Sequence, residues 1–180
     1  MLKTLLTALT LTTLTTPVLA ASNMNEHQQL WNAVESVGVD IIVNEVELCH
    51  PKFNGGKRFF GWYHGPSKML VICQEAALAD TRFNGEQRQW SAEDLDTLRH
   101  EAHHMVQDCR DDSLNQELDT VYTKPINLAY RVLGEQGVAG VLRAYSDKSE
   151  HMKVLELEAF AVAQMNDPIE QVQDIKRYCF

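Results

Sequence analysis

His100-Glu101-Ala102-His103-His104 decides the reading of this chain. The pentapeptide matches H-E-x-x-H, the zinc-binding signature of metallopeptidases. On a helix, positions four apart are neighbours on one face. His100 and His104 can therefore aim an imidazole nitrogen at one metal ion, with Glu101 beside them as general base for a water. The flanking sequence reads as a helix over about residues 92–110. Ser91 stands as its N-cap, with Glu93 and Asp94 in the first turn. Leu95, Leu98, Ala102, Met105, Val106 and Cys109 recur at helical spacing and form one apolar stripe. His100 and His104 fall opposite that stripe, on a side shared with Thr97, Gln107 and Asp111. The plain alternative for that polar side is solvent exposure.

The N-terminus reads as an address. Met1-Leu2-Lys3, an apolar Leu/Thr/Ala stretch over 4–16, and Pro17-Val18-Leu19-Ala20 make a secretory signal peptide, cut after Ala20 or alternatively Ala21. Residues 21–180 then form a single domain that is secreted or periplasmic. No second stretch could span a membrane, so no membrane partner is expected after cleavage. The chain has 180 residues, is 44% hydrophobic and carries a formal charge of −9, which suits a small enzyme with a core and no nucleic-acid partner.

Export changes how the four cysteines read. An even number in an oxidising compartment points to two disulfides, with three possible pairings. Cys49 and Cys73 both end strand-like runs, which favours joining them and leaves Cys109 with Cys179. No C-x-x-C spacing occurs, so a cysteine zinc site is not expected.

The layout reads as α+β, a small antiparallel or mixed sheet with a hairpin, followed by a mostly helical half. A first helix is expected over 25–36 and a strand over 40–49. Strands over 58–64 and 68–74 should form a hairpin around Gly65-Pro66-Ser67. Residues 75–90 read as a loop with an Asn84-Gly85 turn. Helices follow near 125–135, 137–145, 149–166 and 168–178, with Pro125 and Pro168 at helix starts.

A catalytic zinc usually takes three protein ligands. The longer signature H-E-x-x-H-x-x-G-x-x-H is excluded, because Gln107 and Arg110 stand where it needs Gly and His. The segment from Met152 to Met165 is apolar nearly all round, yet it carries Glu156 and Glu158. A carboxylate on an apolar face is costly unless paired, protonated or metal-bound. Glu156 shares its side with Ala159 and Ala163, small residues that let another helix approach closely. Glu158 is flanked by bulkier groups. Glu156 is therefore the favoured third ligand and Glu158 the alternative, otherwise a supporting or ion-pairing group; either could instead be a partly exposed glutamate bonded to Arg or Lys. His151 is a further alternative ligand. Tyr145, His151 and His103 are candidates to stabilise an oxyanion, set against ordinary packing or hydrogen-bonding roles.

H-E-A-H-H at 100–104 followed by E-L-E-A at 156–159 resembles the gluzincins, zinc peptidases that take two histidines from H-E-x-x-H and a glutamate from a later helix. In that family a small residue commonly follows the ligand glutamate three positions on; Glu156 with Ala159 and Glu158 with Ala161 both fit. The resemblance covers about residues 40–166 in layout; within the single domain of 21–180 it implies a zincin-like fold, one Zn2+ per chain and hydrolysis of a peptide or protein substrate with Glu101 as general base. The hairpin ahead of the H-E-x-x-H helix looks like the small sheet of minimal zincins, whose edge strand lines the cleft. Two other functions compete. One is a zinc hydrolase of a non-protein amide such as a cell-wall crosslink. The other is a secreted, non-catalytic binding module, against which the presence of Glu101 argues.

Overall fold

The computed structural model describes residues 16–80, 82–111, 113–165 and 167–180, with the side chains of 16–23 and Asp111 left aside. Residues 1–15 of the expected leader thus lie outside the described residues. The elements run α1 (Thr16–Ser36), β1 (Asp40–Val43), α2 (Val46–Cys49), β2 (Gly61–His64), β3 (Met69–Ile72), α3 (Glu75–Ala79), α4 (Ala92–Asp108), a 3-10 turn (Cys109–Asp111), α5 (Pro125–Ala144), α6 (Glu150–Met165) and α7 (Pro168–Tyr178). The architecture is α+β and mostly helical, with one three-stranded mixed sheet ordered β1-β3-β2. β2 and β3 form the expected antiparallel hairpin, and β1 lies parallel to β3 on its other side.

The H-E-x-x-H helix, α4, organises the packing. Ser91 and Asp94 close a reciprocal capping box at its start, satisfying two backbone N–H groups that would otherwise lack partners. Its apolar stripe is buried as the spacing requires. Leu98, Ala102, Met105, Val106 and Cys109 join Leu30 and Val34 of α1, Leu70 and Ile72 of β3, and Val172 and Ile175 of α7 in the main core. A second core holds Leu128, Ala129 and Val138 of α5 against Leu157, Ala161 and Val162 of α6. Cys49, Val71, Cys73 and Leu78 form a third on the far face of the sheet.

Both disulfides form as expected, Cys49–Cys73 and Cys109–Cys179, with Cα–Cα separations of 5.4 and 5.1 Å. The second ties the end of α4 to the end of α7.

Four expectations are corrected. The strand expected over 40–49 stops at Val43 and gives way to α2. Asn44 takes a left-handed conformation (φ 56°) that ends the extended run. Its buried amide donates to Gln74 Oε1 and Glu86 O and accepts from the Gln74 N–H, so the turn is locked by a polar network. Residues 75–90 contain the short α3 as well as loop, and the first helix begins at Thr16, ahead of 25. The break expected between the helices near 136 falls at Gly134, where φ 68° and ψ 175° interrupt α5.

Candidate metal centre

α6 crosses α4 on the side opposite the apolar stripe, so the two histidines are not exposed to solvent. His100 and His104 each keep 7% of their surface exposed and Glu101 6%. The seam is centred on Leu155 and Ala159 of α6, which are 1% and 0% exposed. Glu156 and Glu158 flank that seam, and both reach α4.

Glu156 enters the pocket of the H-E-x-x-H motif. Its Oε2 lies 3.2 Å from His100 Nε2 and 3.5 Å from His104 Nε2, and the two Nε2 atoms are 3.0 Å apart. Ligand atoms of His100, Glu101 and His104 lie within 4.8 Å of one another. Glu156 Oε2 is buried and has close ionic contacts but no partner with hydrogen-bond geometry. Two imidazole nitrogens and an orphaned carboxylate oxygen converging in a buried pocket suit a small divalent cation such as zinc.

Gln107 sets the tautomer of His104. Its Nε2 donates to Leu155 O and to Glu158 Oε1, both at 3.1 Å, so its Oε1 is the atom that faces His104 Nδ1 at 2.7 Å. An amide oxygen only accepts, so Nδ1 carries the hydrogen. In neutral His104 the lone pair is then on Nε2, the atom facing His100 and Glu156. Such outer partners commonly orient ligand histidines.

Glu158 occupies the other flank. It is fully buried and accepts from His103 Nε2 (3.0 Å), Gln107, and the backbone N–H groups of Val121 (2.8 Å) and Tyr122 (3.0 Å). Neither glutamate is the partly exposed Arg or Lys partner that the sequence left open. His103 is committed to Glu158, and exposed His151 places Nε2 2.9 Å from Leu118 O. Both stand apart from the pocket as candidates for ligation or oxyanion binding.

Tyr145, at the C-terminal end of α5, does reach the pocket. Its hydroxyl lies close enough to feel the Glu156 carboxylate. Its ring packs 6.4 Å from Phe160, whose own ring stands 4.3 Å from that of His100.

Burial and charge tune these groups strongly. Burial lifts the pKa of Glu101 to about 7, against the opposing pull of nearby His104. Burial lowers His100 to about 4, despite the nearby Glu156. For His104 the desolvation is outweighed by Glu156, and its pKa rises to about 9. Burial would raise Glu156 too, but the two imidazoles hold it well below the carboxylate range. Burial and the Glu156 charge push the Tyr145 hydroxyl up, so it stays protonated. Anionic Glu156 thus favours a positive charge between the two imidazoles, which a bound metal ion can supply in place of a proton.

Sequence reasoning passed over three contributors. Gly61 lets edge strand β2 rest on α4: a Cβ there would stand 2.6 Å from Thr97 Cγ2 and 3.0 Å from Glu101 Cγ. Tyr63, in the strand beside Glu101, hydrogen-bonds Asp108 through its hydroxyl at 2.7 Å. Phe160 covers His100. Only Gln107 carried a sequence signal, as a polar residue on the histidine side three positions after His104.

The family described as a domain of unknown function, DUF8637, matches residues 21–180, and the chain belongs to it. No curated protein and no solved structure matches the chain.

Proposed function

We propose that this DUF8637 family member is an exported zinc-dependent peptidase of gluzincin-like design, with one zinc held by His100, His104 and Glu156. The observation that carries the reading is the convergence of both Nε2 atoms with an orphaned Glu156 oxygen, beside the raised carboxylate of Glu101. A zinc ion there would supply Lewis acidity toward water and a scissile carbonyl. Glu101, with its pKa near 7, is matched to accept a proton at neutral pH and pass it to a leaving amine. The Tyr145 hydroxyl remains a donor and is close enough to Glu156 to serve a developing oxyanion. β2, an edge strand resting on α4 beside Glu101, supports the likeness to the minimal zincins. The two disulfides favour an oxidising compartment.

One observation favours a second reading. Each group of the cluster is at least nine-tenths buried, which suits a metal that holds a non-catalytic module together. Glu101→Gln separates the two. The peptidase reading expects zinc and fold to be kept and hydrolysis of casein peptides to fall by a hundredfold or more, because an amide cannot accept the proton. Wild-type protein that binds zinc but cleaves neither casein nor peptidoglycan is the binding module. Release of peptidoglycan fragments alone points to a cell-wall amide.

A further inference from the structure

Residues 52–60, Lys-Phe-Asn-Gly-Gly-Lys-Arg-Phe-Phe, form a loop that is cationic and aromatic at once. Among the described residues nine large hydrophobic side chains are exposed, and three of them fall here: Phe53 at 55%, Phe59 at 41% and Phe60 at 52%. Lys52, Lys57 and Arg58 are exposed between them, and the loop contains no acid in a chain of formal charge −9. None of the three cations makes an ion pair among the described residues. Lys52 Nζ lies 5.6 Å over the Phe53 ring.

The loop is braced. Cys49, joined to Cys73, precedes it, and the Cys73 N–H donates to Phe60 O at its end. Within it, the Gly56 N–H donates to Pro51 O, the Lys57 N–H to Asn54 O, and Asn54 Nδ2 to Leu48 O. Gly55 and Gly56 turn the chain with φ of 63° and 82°. The rings are thus held in water by a fixed scaffold, and none of them belongs to the three cores.

We propose that this loop docks the protein on an anionic lipid surface, the phenylalanines entering the interface and Lys52, Lys57 and Arg58 meeting the headgroups. Apolar rings among cations are the pairing that such a surface rewards, through burial and electrostatic attraction together. A spanning segment is not needed, so the lack among the described residues of a helix long and apolar enough to cross a membrane does not oppose docking. Glu45 and Glu47 sit before the Cys49 anchor, outside the loop. Gly61, which follows Phe60 directly, rests against α4 at Thr97 and Glu101, so docking brings that end of the helix close to the membrane. The proposal does not depend on zinc or on catalysis.

The test uses protein purified in the form in which cells accumulate it, sedimented with vesicles of phosphatidylcholine alone or mixed equally with phosphatidylglycerol. Two double variants are compared: Lys57→Glu/Arg58→Glu and Phe59→Ser/Phe60→Ser, with circular dichroism as the folding control. The wild type should bind the mixed vesicles, lose binding as salt rises and bind neutral vesicles less. Each variant should weaken binding to mixed vesicles by about tenfold or more. Equal binding of the wild type to both vesicles, or to neither, overturns the proposal. So does loss in one variant only. Loss in the glutamate variant alone means a purely electrostatic contact without ring insertion, and loss in the serine variant alone means an apolar contact indifferent to headgroup charge.

Discussion

Gln107 holds His104 in one tautomer because its own N–H groups are committed to Leu155 O and Glu158 Oε1. Replacing it by leucine removes the acceptor of Nδ1–H and leaves the imidazole free to rotate or change tautomer. Zinc affinity of Gln107→Leu, titrated against a chelating indicator, should fall by about 10–100-fold with the fold retained, the usual effect of removing such a partner. His104→Ala in the same titration should hold no stoichiometric zinc, because two ligands are too few. Wild-type affinity in Gln107→Leu would show that the amide does not orient a ligand. A full zinc complement in His104→Ala would remove the ligand assignment itself. The histidines and Glu101 were legible in the sequence because their spacing is local to one helix. The role of Gln107 was not, because it depends on α6 arriving over that face.

At the scale of elements, α6 brings two carboxylates to α4 along the two flanks of one seam. Glu156 meets the paired histidines; Glu158 binds His103, Gln107 and the N–H groups of Val121 and Tyr122. The sequence treated the two as competitors for one approach, since they project from different sides of the helix. It ranked Glu156 first from the small residues Ala159 and Ala163, and that is the glutamate beside His100 and His104. Their variants should separate cleanly. Glu156→Ala should empty the metal site with the fold retained, read by zinc titration and circular dichroism on the same sample. Glu158→Ala should keep zinc but cost about 3 kcal/mol or more, since it takes the acceptor from buried His103 and from the part-buried N–H groups of Val121 and Tyr122. That corresponds to a fall in Tm of about 6–12 °C for a domain of this size. Zinc lost in Glu158→Ala and kept in Glu156→Ala would reverse the two roles. The same dependence on distant partners explains the lost strand at 44–49. Ile and Val made it read as extended, while Asn44 bonds residues 30 and 42 positions away.

Across the whole molecule, α4 is covered on one side by α1, α7 and the sheet and on the other by α6, which in turn carries α5. Cys109–Cys179 closes 70 residues around that stack, and Cys49–Cys73 clamps the hairpin to the loop it supports. The hairpin, the capped helix and both pairings could be read from local pattern and from which strand ends leave cysteines near each other. The enclosure of the H-E-x-x-H face could not, because it depends on how separate helices meet. That enclosure sets His100, His104 and Glu156 where we propose they together hold one metal ion. Anomalous diffraction from crystals of zinc-loaded protein, recorded on both sides of the zinc edge, tests that claim most directly. It should show one peak per chain, about 2.0–2.2 Å from His100 Nε2, His104 Nε2 and a Glu156 oxygen. No peak at the cluster, or a peak bound by Glu158 in place of Glu156, would contradict it.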